Sequence, residues 1–182
     1  MMNKYITAII FMSSVSLVHA DCLNNIAETT PTSRFTNNTD GSVTDAVTGL
    51  MWKKCSEGQT WEVATNTCTG TTAYYTWQEA LQRAEDVNAG ITGDNIGYTG
   101  WRVPNVKELT SILEYSCSMP SMNVEVFPPD TSGDDRGNPY WTSTIDSVSS
   151  GFMYTVSFRA SGVIARPSSM DVTAVRLVRN EP

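Results

Sequence analysis

Residues 97–115 read GYTGWRVPNVKELTSILEY. The stretch carries a turn, an apolar anchor and a helix start in succession. Gly97 and Gly100 bracket the turn, and Trp101 and Val103 lie on one side of a short extended segment. Pro104 disfavours helical geometry at Val103 and bars a helix arriving from the N-terminal side. Asn105 is a good N-cap, and Glu108 three residues later completes a capping-box pattern. Val106, Leu109, Ile112 and Leu113 then share one apolar face at helical spacing. The other elements are expected to pack around this helix.

Working outward, Thr76-Trp77-Gln78-Glu79 is a second capping box. The helix it opens has Trp77, Ala80, Leu81, Ala84 and Val87 on its apolar side. Gln78, Glu79, Gln82, Arg83, Glu85 and Asp86 form the opposite side, read as a solvated face. It ends near Asn88, with Gly90 as the C-terminal stop. Upstream, Arg34-Phe35-Thr36 opens a first strand, Asp40-Gly41 is a tight turn, Val43-Thr44-Asp45 returns, and Leu50-Met51-Trp52 follows as a buried strand. Cys55 to Cys68 is a small excursion with Trp61 at its tip. Downstream, Ser118 to Pro139 is a long proline-rich loop. Strands follow from Tyr140 and over Phe152–Phe158, whose Phe152, Tyr154, Val156 and Phe158 alternate. A hairpin turn over Arg159–Gly162 leads to Val163-Ile164-Ala165, and Thr173–Arg179 is the last strand. Strands, two amphipathic helices and a strand meander predict an α+β domain with helices on antiparallel sheet. Strands near both ends suggest that the terminal strands pair.

The first segment is read separately. MMNK is a basic start, Tyr5 to Val18 is apolar, and Val18-His19-Ala20 has the small-residue spacing of a signal-peptidase site. Residues 1–20 are therefore expected to be a signal peptide, 21–33 an N-terminal strap and 34–182 one domain. A lipid anchor on Cys22 is the alternative, disfavoured by acidic Asp21 before it. The apolar run is shorter than the roughly 20 residues of a membrane-spanning helix. The expected product is exported, to the periplasm or beyond the cell.

Charge and composition remove several function classes. The chain of 182 residues has a net charge of −7. An acidic surface disfavours nonspecific binding to nucleic acid or to an anionic membrane. The single histidine, His19, falls in the expected signal peptide. Histidine triads and histidine metal sites are thereby excluded from the processed chain. The four cysteines, Cys22, Cys55, Cys68 and Cys117, read as disulfides in an exported protein. Three pairings are open. Cys55–Cys68 closes a short local loop and is preferred, which leaves Cys22–Cys117.

Candidate functional residues are few. Trp61, Tyr74, Tyr75 and Tyr140 lie near expected loops and suit contact with the apolar face of a sugar; core cover is the plainer reading. Asp130, Asp134, Asp135 and Asn138 offer hard oxygen ligands for calcium on one loop, although their spacing matches no EF-hand. A solvated acidic loop is the plainer reading there, and no cofactor is expected. Two carboxylates can hydrolyse glycosides without histidine, and Asp134-Asp135 or Glu108 with Glu114 are the candidate pairs. Trp52, Trp77, Trp101, Leu109, Ile112 and Trp141 are expected to be core.

Five motifs occur in a fixed order: RFTNNTDGSVTDAVTGLMWKK, TWQEAL, GYTGWRVPNVKELTSIL, FPPD with YWTST, and AVRLVRN. From Arg34 to Asn180 this resembles the Lcl C-terminal domain family, named after the end domain of a bacterial collagen-like adhesin. The resemblance implies a C-type-lectin-like fold and a non-catalytic role in adhesion, contacting a glycan or an extracellular protein. The WR-x-P…EL segment is also similar to one in the formylglycine-generating enzymes, but their catalytic cysteines have no counterpart among cysteines read as disulfides. The chain lacks a Gly-X-Y stalk, a basic patch for sulfated glycans, and the lectin calcium motifs Glu-Pro-Asn and Trp-Asn-Asp.

Overall fold

The computed structural model describes residues 20–129, 139–159, 162–167 and 171–181. The calcium candidates Asp130, Asp134, Asp135 and Asn138 lie outside these residues, as does residues 1–19 of the expected signal peptide. In chain order the strands are β1 (Asp21–Cys22), β2 (Phe35–Asn37), β3 (Ser42–Asp45), β4 (Leu50–Lys53), β5 (Gln59–Glu62) and β6 (Thr67–Gly70). Helices α1 (Trp77–Asn88) and α2 (Val106–Thr110) follow, then β7 (Cys117–Ser118), β8 (Pro139–Ile145), β9 (Phe152–Ser157), β10 (Gly162–Pro167) and β11 (Val178–Asn180).

The architecture is mixed, with antiparallel sheets and two helices among the described residues. One sheet has the order β11-β4-β3-β2 and another β10-β9-β8; β1 pairs with β7, and β5 with β6. The segment 171–178 links the two larger sheets, with a parallel bridge from Tyr140 to Ala174 and antiparallel bridges from Tyr75 to Thr173 and Arg102 to Val178.

Strand β4 divides the interior. All four of its residues are buried, and the two-residue period sends Leu50 and Trp52 to one side and Met51 to the other. On the first side Trp52 meets Leu109, Ile112, Leu113, Phe127, Tyr140, Val156 and Phe158. On the second, Met51 meets Ala80, Ala84 and Val87 of α1 together with Trp101, Val103, Trp141 and Leu177. Trp101 and Val103 share a cluster because they sit two apart on an extended segment. Trp52, Trp101, Trp141, Leu109 and Ile112 are fully buried, whereas Trp77 is half-buried at the edge of the second cluster.

Both capping boxes form. Thr76 accepts from Glu79 N–H and Asn105 from Glu108 N–H, while each glutamate returns a bond to the cap backbone. The helix opened by Asn105 is shorter than its apolar spacing suggests. It stops at Thr110 because the Thr110 and Ser111 hydroxyls donate to the Lys107 and Glu108 carbonyls, competing with the backbone for the last acceptors. Ile112 and Leu113 still reach the core, from the turn that follows.

Other expectations shift. Arg34 closes a 3-10 turn, so the first long strand begins at Phe35. Trp61 lies within β5 and not at the tip of its hairpin. The run 173–179 is a pair of bridges followed by a short strand, because it crosses from one sheet to the other. The chain ends do not pair: β11 joins β4 while β2 is the opposite edge, and β1 runs against β7.

Cys22 is bonded to Cys117 and Cys55 to Cys68. The first bridge ties the strap to the domain beside Glu114. That carboxylate accepts from the backbone N–H groups of Thr29, Thr30 and Ser116 and from the hydroxyls of Thr30 and Ser116, at 2.7–3.0 Å. Burial opposes its ionisation, but the bonds from Thr29, Ser116 and Thr30 outweigh that effect and lower its pKa to about 2.

Candidate functional site

The excursion between Cys55 and Cys68 builds one wall of a cavity of about 340 Å³, within the usual range for small-ligand sites. Its lining comes from three places: Asp40 and Gly41 of the first tight turn, residues between Lys53 and Val63 from the end of β4 through β5, and residues between Thr92 and Ile96 of the loop after α1.

Local sequence explains how Trp61 is held there. Gly41 has φ +96°, and a Cβ on it would meet Trp61 Cβ at 2.8 Å, so the glycine serves both the turn and the close approach. Gly58 (φ +92°) is similarly crowded, its would-be Cβ lying 2.6 Å from Ala73 N. One face of the Trp61 ring carries Lys54 Nζ at 4.3 Å from the centroid. Lys54 also donates to Asn37 Oδ1 at 2.7 Å. Burial pulls the Lys54 pKa down, against the nearby Asp40 charge.

Beneath the cavity lies a closed ion-pair quartet. Lys53 Nζ is 2.9 Å from Glu57 and 3.7 Å from Asp94; Arg83 Nε is 2.7 Å from Glu57, and its Nη2 pairs with Asp94. Burial pushes the Asp94 pKa up, but the Thr92 hydroxyl and the charges of Lys53 and Arg83 bring it below the ordinary value. Two cations and two carboxylates neutralise one another, which is what makes the burial of Lys53 and Glu57 tolerable beside the partly buried Arg83 and Asp94. A carboxylate held ionised in this way is poorly suited to proton transfer near neutral pH. Asp40 is also engaged, accepting from Tyr98 OH at 3.0 Å and from Ser42 N–H at 2.8 Å.

Two donors in this wall have no acceptor: Gln59 Nε2 and Trp61 Nε1. The Gln59 Oε1 atom accepts from Ser56 N–H at 3.1 Å, so only its NH₂ end is unmatched. Leaving a buried donor unmatched costs about 1–3 kcal/mol.

The four aromatic contact candidates are not brought together. Trp61 lines the cavity. Tyr74 and Tyr75 are half-buried, one against each core cluster. Tyr140 is corrected from a surface contact to a core residue: it is fully buried, its OH lies 2.8 Å from Ser56 Oγ, and its ring packs edge-on against Phe158. Its place near the start of β8 puts it under the linking segment, whose Ala174 it bridges. Both described carboxylates of the hydrolase candidates have structural partners. Glu108 caps α2 and forms a bidentate pair with Arg102 at 2.7 Å, and Glu114 holds the strap.

The sequence reading missed the quartet and a buried arginine. Arg83 was placed on a solvated face, yet it stands three residues after Ala80 and four before Val87, on the flank of the buried stripe. That spacing is the signal that was available. Arg176 is fully buried, donating to the carbonyls of Lys53 and Lys54 and lying over the Phe127 and Tyr140 rings. A larger cavity of about 380 Å³ flanks the strap, but it is lined by Ala20, the first described residue, and its Glu114 is saturated.

The sequence profile of the Lcl C-terminal domain family matches residues 41–179. The chain belongs to this family. No curated protein matches it significantly. The matched range of this Lcl C-terminal domain begins at Gly41, against which Trp61 packs, and ends at Arg179, whose guanidinium lies 5.0 Å over the Tyr98 ring. Gly41 of the turn, the hairpin, the 92–96 loop and both helices thus fall within it, and Asp40 lies one residue before it.

Proposed function

We propose that this Lcl C-terminal domain is an exported, non-catalytic binding and adhesion module with a C-type-lectin-like fold, and that its ligand is a glycan. The observation that carries the reading is the cavity beneath the β5–β6 hairpin: an aromatic wall and two buried, unmatched donors beside a floor whose charges are already paired. Such a floor favours recognition over proton chemistry. The two disulfides support export, since such bonds persist in oxidising compartments. No helix among the described residues is long and apolar enough to cross a membrane.

The test is binding of the oxidised chain to a broad glycan array and to matrix proteins, with calcium and again with chelator. Selective glycan binding is the expected result. Loss in chelator would show a calcium requirement and point to the segment holding Asp130, Asp134, Asp135 and Asn138. A blank array in both conditions would count against a glycan ligand.

A second reading, a structural part of a surface assembly with a protein partner, draws on β10. It is an edge of its three-stranded sheet, and Val163 and Ile164 on it are exposed. Recovery of one defined partner from the native envelope, with no glycan binding, would favour that reading. A carboxylate-based hydrolase is a third and weaker reading. It requires polysaccharide turnover that disappears on substituting one carboxylate.

A further inference from the structure

Within the binding-module reading, on which this inference rests, we propose that the hairpin cavity takes an uncharged saccharide unit, with Gln59 and Trp61 donating hydrogen bonds to its oxygens. Gln59 and Trp61 are two apart on β5, so their side chains leave the strand on the same face. That face is the inward one: Gln59 is buried and Trp61 half-buried, while Thr60 and Glu62 between and beyond them are exposed. Both side chains line the cavity, and both end in a donor with no acceptor. The missing partners are therefore acceptors, and two in a row along one strand suit the closely spaced oxygens of a sugar ring.

Charge decides which acceptors. The carboxylates of Glu57 and Asp94 are matched by Lys53 and Arg83, and Asp40 lies beside Lys54. Among the described residues, no cation there is left over for a sulfate, phosphate or uronic carboxylate, and no carboxylate is left over for an amine. Bringing in a charged ligand would strand its charge in a partly desolvated site. A neutral ligand meets no such barrier. The Trp61 indole and Ile96 add apolar surface for the C–H face of a pyranose. Ile96 itself has φ +48°, a conformation that β-branched residues rarely adopt, in the loop that closes the opposite wall. Gln59 Nε2 and Trp61 Nε1 are covered from bulk solvent, so seating the ligand includes a turn of these side chains toward it.

The experiment is an NMR titration of the oxidised chain. The Trp61 indole N–H signal is assigned by its loss in Trp61→Phe. The probes are neutral oligosaccharides (maltotriose, chitotriose, laminaritriose and mannotriose) and, as the charged contrast, a heparin-derived oligosaccharide. The expected result is a shift of the Trp61 indole signal by a neutral probe at millimolar concentration, with no such shift from the heparin fragment. Binding should weaken about tenfold in Gln59→Glu. This variant keeps an oxygen that accepts from Ser56 N–H and replaces the NH₂ donor by a second, negatively charged acceptor oxygen. Weakening in Trp61→Phe, which keeps an aromatic ring, is the independent check.

A Trp61 indole signal that no neutral probe moves would overturn the proposal, as would affinity unchanged in both variants. Neutral glycan binding that shifts only signals elsewhere would overturn this site while leaving the binding module standing. A shift produced by the heparin fragment alone would overturn the charge argument.

Discussion

In the body of the domain, three indoles give their N–H to a carbonyl: Trp77 to Thr142, Trp101 to Asn95 and Trp141 to Tyr75, at 2.9, 3.0 and 2.7 Å. Trp52 is the exception, set among apolar side chains with its N–H unmatched. Across the β5–β6 hairpin the pattern differs. Trp61 has no acceptor, and Gln59 next to it on the strand face has none for its NH₂ group. The body takes its position from two apolar clusters on either side of β4. The hairpin takes its position from a disulfide that ties Cys68 of β6 to Cys55 ahead of β5, a glycine contact and a lysine over the Trp61 ring. The body matches most of its indole donors within the fold, whereas the hairpin face holds two donors without an acceptor among the described residues.

Removing covalent and core supports should give the largest effects and separate the two regions. Replacing both Cys22 and Cys117 by serine opens a loop with a sequence separation of 95, against 13 for Cys55 and Cys68. The chain-entropy model gives about 4.7 kcal/mol for a loop of roughly 100 residues and about 3 kcal/mol for one of roughly 15. Urea unfolding of the two double variants should preserve that order. Trp101→Ala, which empties the second cluster, should cost about 3–5 kcal/mol. A stable Trp101→Ala protein would show that the 97–115 stretch does not organise the body.

Much of that body was legible in sequence because local signals and tertiary packing agree there. Thr76 with Glu79 and Asn105 with Glu108 each mark a helix start by chemistry confined to four residues. Trp52, Trp101 and Trp141 each lie in extended segments with apolar neighbours two residues away or adjacent. The cavity was not legible, because its parts come from distant positions: Gly41, Glu57, Trp61, Arg83 and Asp94 have no periodic relation to one another. Nor does sequence show that the Arg176 guanidinium turns inward to cap the Lys53 and Lys54 carbonyls. Tyr140 was misread for the same reason. Its burial depends on the 171–178 segment crossing over it, which is a matter of topology.

Acid should next distinguish the strap from the rest of the body. The Glu114 pKa falls from 4.5 to about 2 on folding. A carboxylate with a lowered folded pKa contributes its full stability above the unfolded value. That contribution is lost as the pH falls from about 4.5 through about 2. A shift of this kind is worth on the order of 3 kcal/mol. In Glu114→Gln, stability at neutral pH should drop by a comparable amount, and the loss between pH 4.5 and about 2 should become shallower. An unchanged acid slope in the variant would mean that the strap is held by the Cys22–Cys117 bond without material help from Glu114.

The sharpest form of the comparison uses the same substitution in both regions. Trp141→Phe removes a buried N–H from the Tyr75 carbonyl, which keeps only its bond from Thr173 N–H, and opens space in the second cluster. The expected cost is about 2–3 kcal/mol. Trp61→Phe removes an N–H that has no acceptor, keeps an aromatic face for Lys54, and changes a residue that is only half-buried. Removing an unmatched donor relieves a desolvation cost as well as losing packing, so the net change should be below about 1 kcal/mol. Chemical denaturation of the two variants under the same oxidising conditions measures the difference. Equal losses would show that the Trp61 indole is a structural element like Trp141, and the hairpin would then have no polar capacity held in reserve. A small loss at Trp61 beside a large one at Trp141 would show that the indole nitrogen of Trp61 contributes little to the fold itself, leaving it free to be used in recognition.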